Sequence, residues 1–325
     1  MRDLAPPGPA VVLPRAPRRR PLVVVASRKA PPLWLVLLAF GSVYVIWGST
    51  YLGIHVAIQS IPPLLMSGGR ALLAGGLLYV VMRMRGESRP KREHWLNATL
   101  VGGLLLAAGN GGVSWAQQSI SSGVAALVVA AVPLWMLLVE WFRPGGRRPH
   151  DLVFAGLALG FAGVILIVTG KDPAGHRIIH PVGAIVLLGA TVSWAVGSVW
   201  SRHLRQPSSA LLTVAMQMIS GGVLLLVGGL LSGELARFHL EAITRASAVA
   251  FIYLTFIGSL VGFTAYVWLL QVSTPARVST YAYVNPLIAV LLGRLVLGEA
   301  LPKSVALAGV LILAGVILIT SRGKG

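Results

Sequence analysis

The chain has no cysteine among its 325 residues. Disulfides, thiolate nucleophiles and Cys-based zinc sites are therefore excluded. Acidic residues are scarce as well: 9 Asp and Glu stand against 27 Lys and Arg, and all charged residues together make up 11%, where a soluble chain carries about 25%. The only aspartates are Asp3, Asp151 and Asp172, all in tails or loops, so an intramembrane aspartyl dyad is impossible. No P-loop occurs, which rules out built-in ATP hydrolysis, and no G-x-S-x-G elbow offers a nucleophile. His176 and His180 have i,i+4 spacing, but they sit in a loop closed by Pro181 with no third ligand near. Neither a metal site nor a cofactor is expected.

What is present is hydrocarbon. Apolar residues reach 56% and glycine numbers 38, a balance that suits membrane helices better than a soluble core. Residues 1–31 are rich in Pro and Arg and read as a disordered basic tail; the run Leu22–Ala26 is too short for a signal-peptide core. From residue 32 onward, apolar stretches of about 20 residues alternate with short polar breaks, as bilayer-spanning helices require. The expected spans are 33–53, 62–82, 96–115, 122–142, 151–169, 182–201, 210–230, 247–270, 278–297 and 303–320. Turn chemistry marks the breaks at Pro62-Pro63, Ser121-Ser122-Gly123, Pro144-Gly145-Gly146, Asp172-Pro173, Pro207-Ser208 and Leu301-Pro302.

The net charge of +18 has no soluble face to occupy, which argues against a nucleic-acid partner. It works instead as an orientation signal. The tail, the 83–92 and 143–148 loops, Arg202, Arg205, Arg277 and the C-terminus carry twenty Lys and Arg on one side; the other side carries five. Both termini are thus expected in the cytoplasm.

The chain also resembles itself. Residues 118–170 match 271–323: Gln118 falls on Gln271, Val132-Pro133-Leu134 on Asn285-Pro286-Leu287, and Ala162–Ile167 on Ala314–Ile319 after a one-residue gap. Gly48-Ser49 pairs with Gly197-Ser198, and Gly75-Gly76 with Gly221-Gly222. The expected fold class is an all-α integral membrane protein of ten transmembrane helices in two five-helix repeats, 32–170 and 171–325. Because five is odd, the second copy starts on the opposite side of the membrane and the repeats are inverted, a recurring build of secondary transporters.

Several residues are candidates for chemistry. Pro133 and Pro286 stand in corresponding spans, where paired interruptions point to a midplane site. Arg70 lies early in span 2 and either faces a cavity or snorkels to the interface. Glu140 follows Pro133 by two turns; it is a candidate for proton coupling or a surface partner of Arg143. A polar and aromatic set falls at mid-depth: Tyr44, Trp47, Asn110, Trp115, Trp194, Gln217, Tyr266, Tyr281, Tyr283 and Asn285. Such groups suit a cavity for an amphipathic solute or a cation. Gly156-Leu-Ala-Leu-Gly160 offers a small-residue face for packing spans 5 and 10.

Trp47-Gly48-Ser49-Thr50-Tyr51, Arg70-Ala71, and Tyr283-Val284-Asn285-Pro286 with Gly298-Glu299 resemble the EamA family of the drug/metabolite transporter superfamily. The resemblance covers about residues 33–320. It implies a ten-helix inverted-repeat fold in a bacterial inner membrane and export of small metabolites or drugs through a central cavity. Arg70, Asn285 and Pro286 match residues that recur in the family; Glu140 departs from it. On this reading Trp47, Arg70, Asn110, Trp194, Tyr281, Tyr283 and Asn285 bind substrate, with bends at Pro133 and Pro286. The partners are a small-molecule substrate and the lipid bilayer, and the chain is a monomer or homodimer. The alternatives are facilitative uniport of the same solutes and, less favoured, a membrane enzyme acting on a lipid-linked substrate.

Overall fold

The computed structural model describes residues 31–143, 151–171, 179–273, 278 and 280–322. The expectations for the 1–30 tail, Pro144-Gly145-Gly146, Asp172-Pro173, His176 and Arg277 lie outside the described residues. Contacts divide the chain into two units between Pro31 and Pro32.

The second unit is built from helices over its described length. The helices are α1 (Leu33–Ala57), α2 (Pro63–Met84), α3 (Arg92–Ala116), α4 (Ser122–Phe142), α5 (Asp151–Thr169), α6 (Pro181–Ser201), α7 (Ala210–Leu231), α8 (Arg245–Leu269, running on to Val272), α9 (Tyr281–Leu297) and α10 (Lys303–Arg322). Seven of them, α1–α4 and α6–α8, are long and apolar enough to cross a membrane, while α5, α9 and α10 supply shorter apolar stretches. Exposed side chains such as Leu37, Leu73, Ile185, Leu291 and Val310 are hydrocarbon, whereas Ser67, Arg70, Ser114 and Gln117 are buried. This arrangement suits a lipid solvent.

Most observed boundaries fall within four residues of the expected ones. α1 runs to Ala57, because nothing before the Pro62-Pro63 pair stops it. α2 and α6 open with Pro at the first helical position, where the missing N–H costs nothing. Two π-helical stretches were not expected, whereas an interruption near Pro133 was. α3 and α8 each contain an eight-residue π-helical stretch, Gly103–Asn110 and Leu254–Val261. α4 is broken at Ala130-Ala131, with Pro133 as the second residue of its second half, while α9 continues through Pro286.

Close helix contact is made by glycine, since apolar side chains gain little by leaving lipid for one another. At the α2–α7 crossing a methyl group on Gly75 would lie 2.6 Å from Met218 Cβ, and one on Gly222 would lie 3.0 Å from Leu72 N. At the α5–α10 crossing a methyl on Gly156 would lie 2.9 Å from the Gly315 carbonyl, and one on Gly315 would lie 2.7 Å from Gly160 N. The small-residue face of α5 thus packs as expected.

Helix ends are tied down by carboxylates. Gly233 follows the end of α7 and Gly298 that of α9, both left-handed with φ of 72° and 66°, a conformation glycine adopts without strain. Each glycine turns the chain so that the next residue, a glutamate, reaches the start of a neighbouring helix. Glu234 accepts from Leu64 N and Leu65 N, both at 3.0 Å, at the head of α2. Glu299 accepts from Ser122 N at 2.7 Å and Gly123 N at 3.0 Å at the head of α4. Helix N-termini leave amides unsatisfied and favour anions. The chain beyond Glu234 then returns over α2 in two short 3-10 turns, Leu235–Arg237 and Leu240–Ala242.

Glu234 is 1% exposed, so Glu234→Ala should leave two amides without partners and lower unfolding stability by about 2–3 kcal/mol. Glu234→Gln, which keeps one acceptor oxygen, should lose less than half of that. The exposed Glu241→Ala should be neutral. Thermal unfolding of the detergent-solubilised protein followed by circular dichroism ranks the three.

Candidate functional site

A polar seam joins α2 to α3. Ser67 and Arg70 lie one turn apart on α2; Asn110, Ser114 and Gln117 share one face of α3 by their spacing. Ser67 Oγ donates to Ser114 Oγ at 2.8 Å, and Arg70 Nη2 donates to Asn110 Oδ1. Arg70 is 7% exposed and its guanidinium turns inward to α3, so of its two expected roles the structure shows the buried one rather than snorkelling. It forms no ion pair among the described residues. Its Nε has no partner, and neither amide atom of the buried Gln117 has one. Leaving such atoms unsatisfied costs about 1–3 kcal/mol each, more for a charged group. The seam therefore holds donors, and an acceptor, that the protein itself does not fill.

The π-helical stretch of α3 shapes this seam. Its last residue is Asn110, and its altered pitch frees backbone groups. Ser193 Oγ of α6 donates to the Leu104 carbonyl at 2.9 Å. The adjacent Trp194 lies on Gly109, where a methyl group would come within 2.9 Å of its Cε3. Trp194 thus sits directly beside the Asn110 backbone. The α8 stretch is treated likewise: Ser259 Oγ donates to the Leu254 carbonyl at 3.0 Å, and Trp47 of α1 packs on Gly262, with Nε1 2.6 Å from where a methyl would lie.

Trp47 is also the centre of an aromatic cluster. Its ring lies 5.3 Å from Phe263, 5.0 Å from Tyr266 and 5.1 Å from Tyr281, and Tyr266 lies 5.8 Å from Tyr281. Pairs of this kind are worth about 0.5–1.5 kcal/mol beyond their burial, so the cluster fixes α1, α8 and α9 together. Tyr44 Oη shares a hydrogen bond with Thr280 Oγ1. Asn285 is buried between α9 and α1. In the amide orientation that pairs its donors with acceptors, Nδ2 donates to the carbonyls of Tyr44 at 3.2 Å and Tyr281 at 3.1 Å.

The expected site residues fall into separate groups. Arg70 and Asn110 meet at the seam, with Trp194 against the neighbouring Gly109; Trp47, Tyr281 and Asn285 meet at the α1–α9 contact. Tyr283 turns to α10, where its hydroxyl donates to the Val316 carbonyl at 3.5 Å. Glu140 pairs with Arg143 at 2.7 Å with 43% of its side chain exposed, apart from both groups. Pro133 and Pro286 occupy matching helices, but only the first stands at a break. Ser67, Ser114, Gln117 and Phe263 were not anticipated. The i, i+4, i+7 spacing of Asn110, Ser114 and Gln117 was the available signal.

The EamA-like transporter family model matches residues 33–169 and 181–321. The chain is 40% identical over 295 residues to the "uncharacterized inner membrane transporter YedA" of Escherichia coli (strain K12), covering 90% of this chain and 92% of that protein. It is 28% identical over 299 residues to the "uncharacterized transporter YvbV" of Bacillus subtilis (strain 168), covering 89% and 92%. A "probable amino-acid metabolite efflux pump" of Escherichia coli (strain K12) is 25% identical over 285 residues, covering 85% and 91%. One solved crystal structure shares the fold, with a TM-score of 0.61 at 21% identity over 90% of this chain and 99% of that one.

Ser67 and Ser114 are 1% and 0% exposed, so Ser67→Ala or Ser114→Ala alone should strand a buried hydroxyl and the double substitution should cost less than the sum. A double-mutant cycle on unfolding stability should give a coupling of about 0.6–1.7 kcal/mol, the range for hydrogen bonds between membrane helices.

Proposed function

The chain belongs to the EamA-like transporter family, a multi-pass membrane protein that transports small metabolites, and on that premise we propose that it exports amino-acid-like, carboxylate-bearing solutes by alternating access. The observation that carries the substrate class is Arg70, a buried guanidinium with no carboxylate partner among the described residues. A charge inside a membrane helix is expensive and is kept where it meets a partner or a cavity. A solute carboxylate supplies that partner, and Gln117, two turns along from Asn110 with a free donor and a free acceptor, suits a polar group at the far end of the same solute. Asn110 holds the guanidinium in place through Nη2. Trp194, against the adjacent Gly109, offers an apolar face to a side chain.

The proposed architecture is ten spans in two inverted five-helix halves, with both termini cytoplasmic. Matched contacts support it. α1 packs on α8 and α9, as α6 packs on α3 and α4; α2 crosses α7, and α5 crosses α10. A tryptophan from the other half lies on the π-helical stretch of α3, Trp194 on Gly109, and another just past that of α8, Trp47 on Gly262. Exchanging the shapes of the two halves then exchanges the side that is open. The charge imbalance of the loops supports the orientation.

Facilitative uniport of the same solutes is the second reading. Three carboxylates favour it: Glu234 and Glu299 are engaged at helix heads, and Glu140 in a surface ion pair. A proton-coupled cycle routed through one of these three would require it to leave its partner.

Proteoliposomes containing the purified protein should carry an amino-acid panel faster than empty vesicles, and Arg70→Gln should reduce that flux by about tenfold or more. Arg70→Lys, which keeps charge but not the forked geometry, should fall between. Flux no greater than in empty vesicles across the panel, or full flux in Arg70→Gln, would contradict the proposal.

A further inference from the structure

A cavity of about 560 Å³ lies between α2, α7 and α8 at the end of the bundle that Glu234 caps, and the returning 3-10 turns complete its wall. Its volume is within the range of about 300–1,000 Å³ typical of ligand sites. Leu65, Met66, Leu226, Phe238, Phe251 and Ile252 are among its lining, which presents only hydrocarbon. It holds none of the polar groups of the α2–α3 seam: Gly69 faces Phe251 across the cavity wall while Arg70 reaches α3. Leu230, Leu235 and Ile252 line it and are each more than half exposed. The cavity therefore opens sideways through apolar surface, toward lipid.

The same two helices close the equivalent corner at their other ends. There Leu78 and Met82 of α2 and Leu212 and Met216 of α7 pack beneath the rings of Tyr79 and Trp95, whose centroids are 5.8 Å apart. One corner is filled by aromatic side chains and the other is left open, so the opening does not follow from the helix crossing itself.

Charge identifies the occupant. Arg237 lies between the lining residues Leu235 and Phe238, and Arg245 between Ile243 and Ala248. Both arginines are exposed and neither forms an ion pair among the described residues. The other ionisable groups on this stretch are the exposed His239 and Glu241 and the buried Glu234, whose carboxylate is taken up by the α2 amides, which leaves the exposed surface net positive. A hydrocarbon slot opening into the bilayer below a basic rim matches an acyl chain below a phosphate. We infer that this cavity binds one acyl chain of an anionic phospholipid, in the leaflet opposite the N-terminus, with its phosphate at Arg237 and Arg245.

The test uses the full chain, delipidated in detergent and offered phosphatidylglycerol or phosphatidylcholine, with bound lipid counted by native mass spectrometry. The wild type should retain phosphatidylglycerol in preference. Ala248→Trp and Gly69→Leu, which fill the cavity from two sides, should each lower retention about tenfold, as loss of a few buried CH₂ groups requires. Arg237→Gln with Arg245→Gln should remove the preference between the two lipids and leave phosphatidylcholine retention unchanged. Unchanged lipid retention in either filled variant at wild-type Tm would overturn the assignment. So would displacement of the lipid by glycerol phosphate as effective as by intact phosphatidylglycerol. Neither outcome depends on whether the solute site is correctly assigned, because no flux is measured.

Discussion

In hydrocarbon every backbone polar group must find its partner within the protein. That requirement accounts for the all-helical described chain, and also for its exceptions. Where helix heads leave amides free, Glu234 and Glu299 supply carboxylates. Where α3 and α8 change pitch, Ser193 and Ser259 take up carbonyls. Asn285 answers the carbonyls of Tyr44 and Tyr281 beside Pro286. Against this background stand the unpaired atoms of Arg70 and Gln117. They share an unmet polar demand with buried atoms of His55, Ser122 and Trp135, but Arg70 alone among these carries a fixed charge, and a solute that meets that demand gains from the same physics that holds the helices together.

The helices α2 and α3 carry that demand in a rigid frame. α2 is pressed against α7 through Gly75 and Gly222, and its head is clamped by Glu234. α3 is held by Trp194 and Ser193 at its π-helical stretch. π-helical insertions recur at functional sites because they rotate the later residues of a helix relative to the earlier ones. Here the rotation sets Asn110 against Arg70. The corresponding stretch in α8 precedes Phe263 and Tyr266, which surround Trp47. Neighbouring residues of α2 then serve different ends: Arg70 meets the polar seam and Gly69 borders the apolar cavity.

Much of the helical layout was legible in the sequence because apolar runs of about 20 residues and Pro or Gly breaks are strong local signals. Glycine spacing likewise revealed the face of α5 that meets α10. The π-helical stretches were not legible, since Gly103–Asn110 and Leu254–Val261 have the composition of any membrane helix. The capping role of Glu299 was not legible because its partners, Ser122 and Gly123, are distant in sequence. Tyr283 and Tyr281 are two residues apart and so lie on different faces of α9, but the sequence does not say which face meets α1. Arg70 stood out by its charge. Ser67, Ser114 and Gln117 did not, because small polar residues are common in membrane helices and only their pairing across α2 and α3 gives them a role.

Arg70 is kept, on this account, for an anionic group of the solute. The most direct measurement compares binding of α-amino acids with binding of their C-terminal amides to the wild-type protein, by thermal shift in detergent, since a bound solute raises Tm with its occupancy. At least one amino acid should raise Tm, and its amide, which has lost the carboxylate charge and one acceptor oxygen, should not. Equal stabilisation by an acid and its amide, or stabilisation by amides alone, would contradict that role for Arg70.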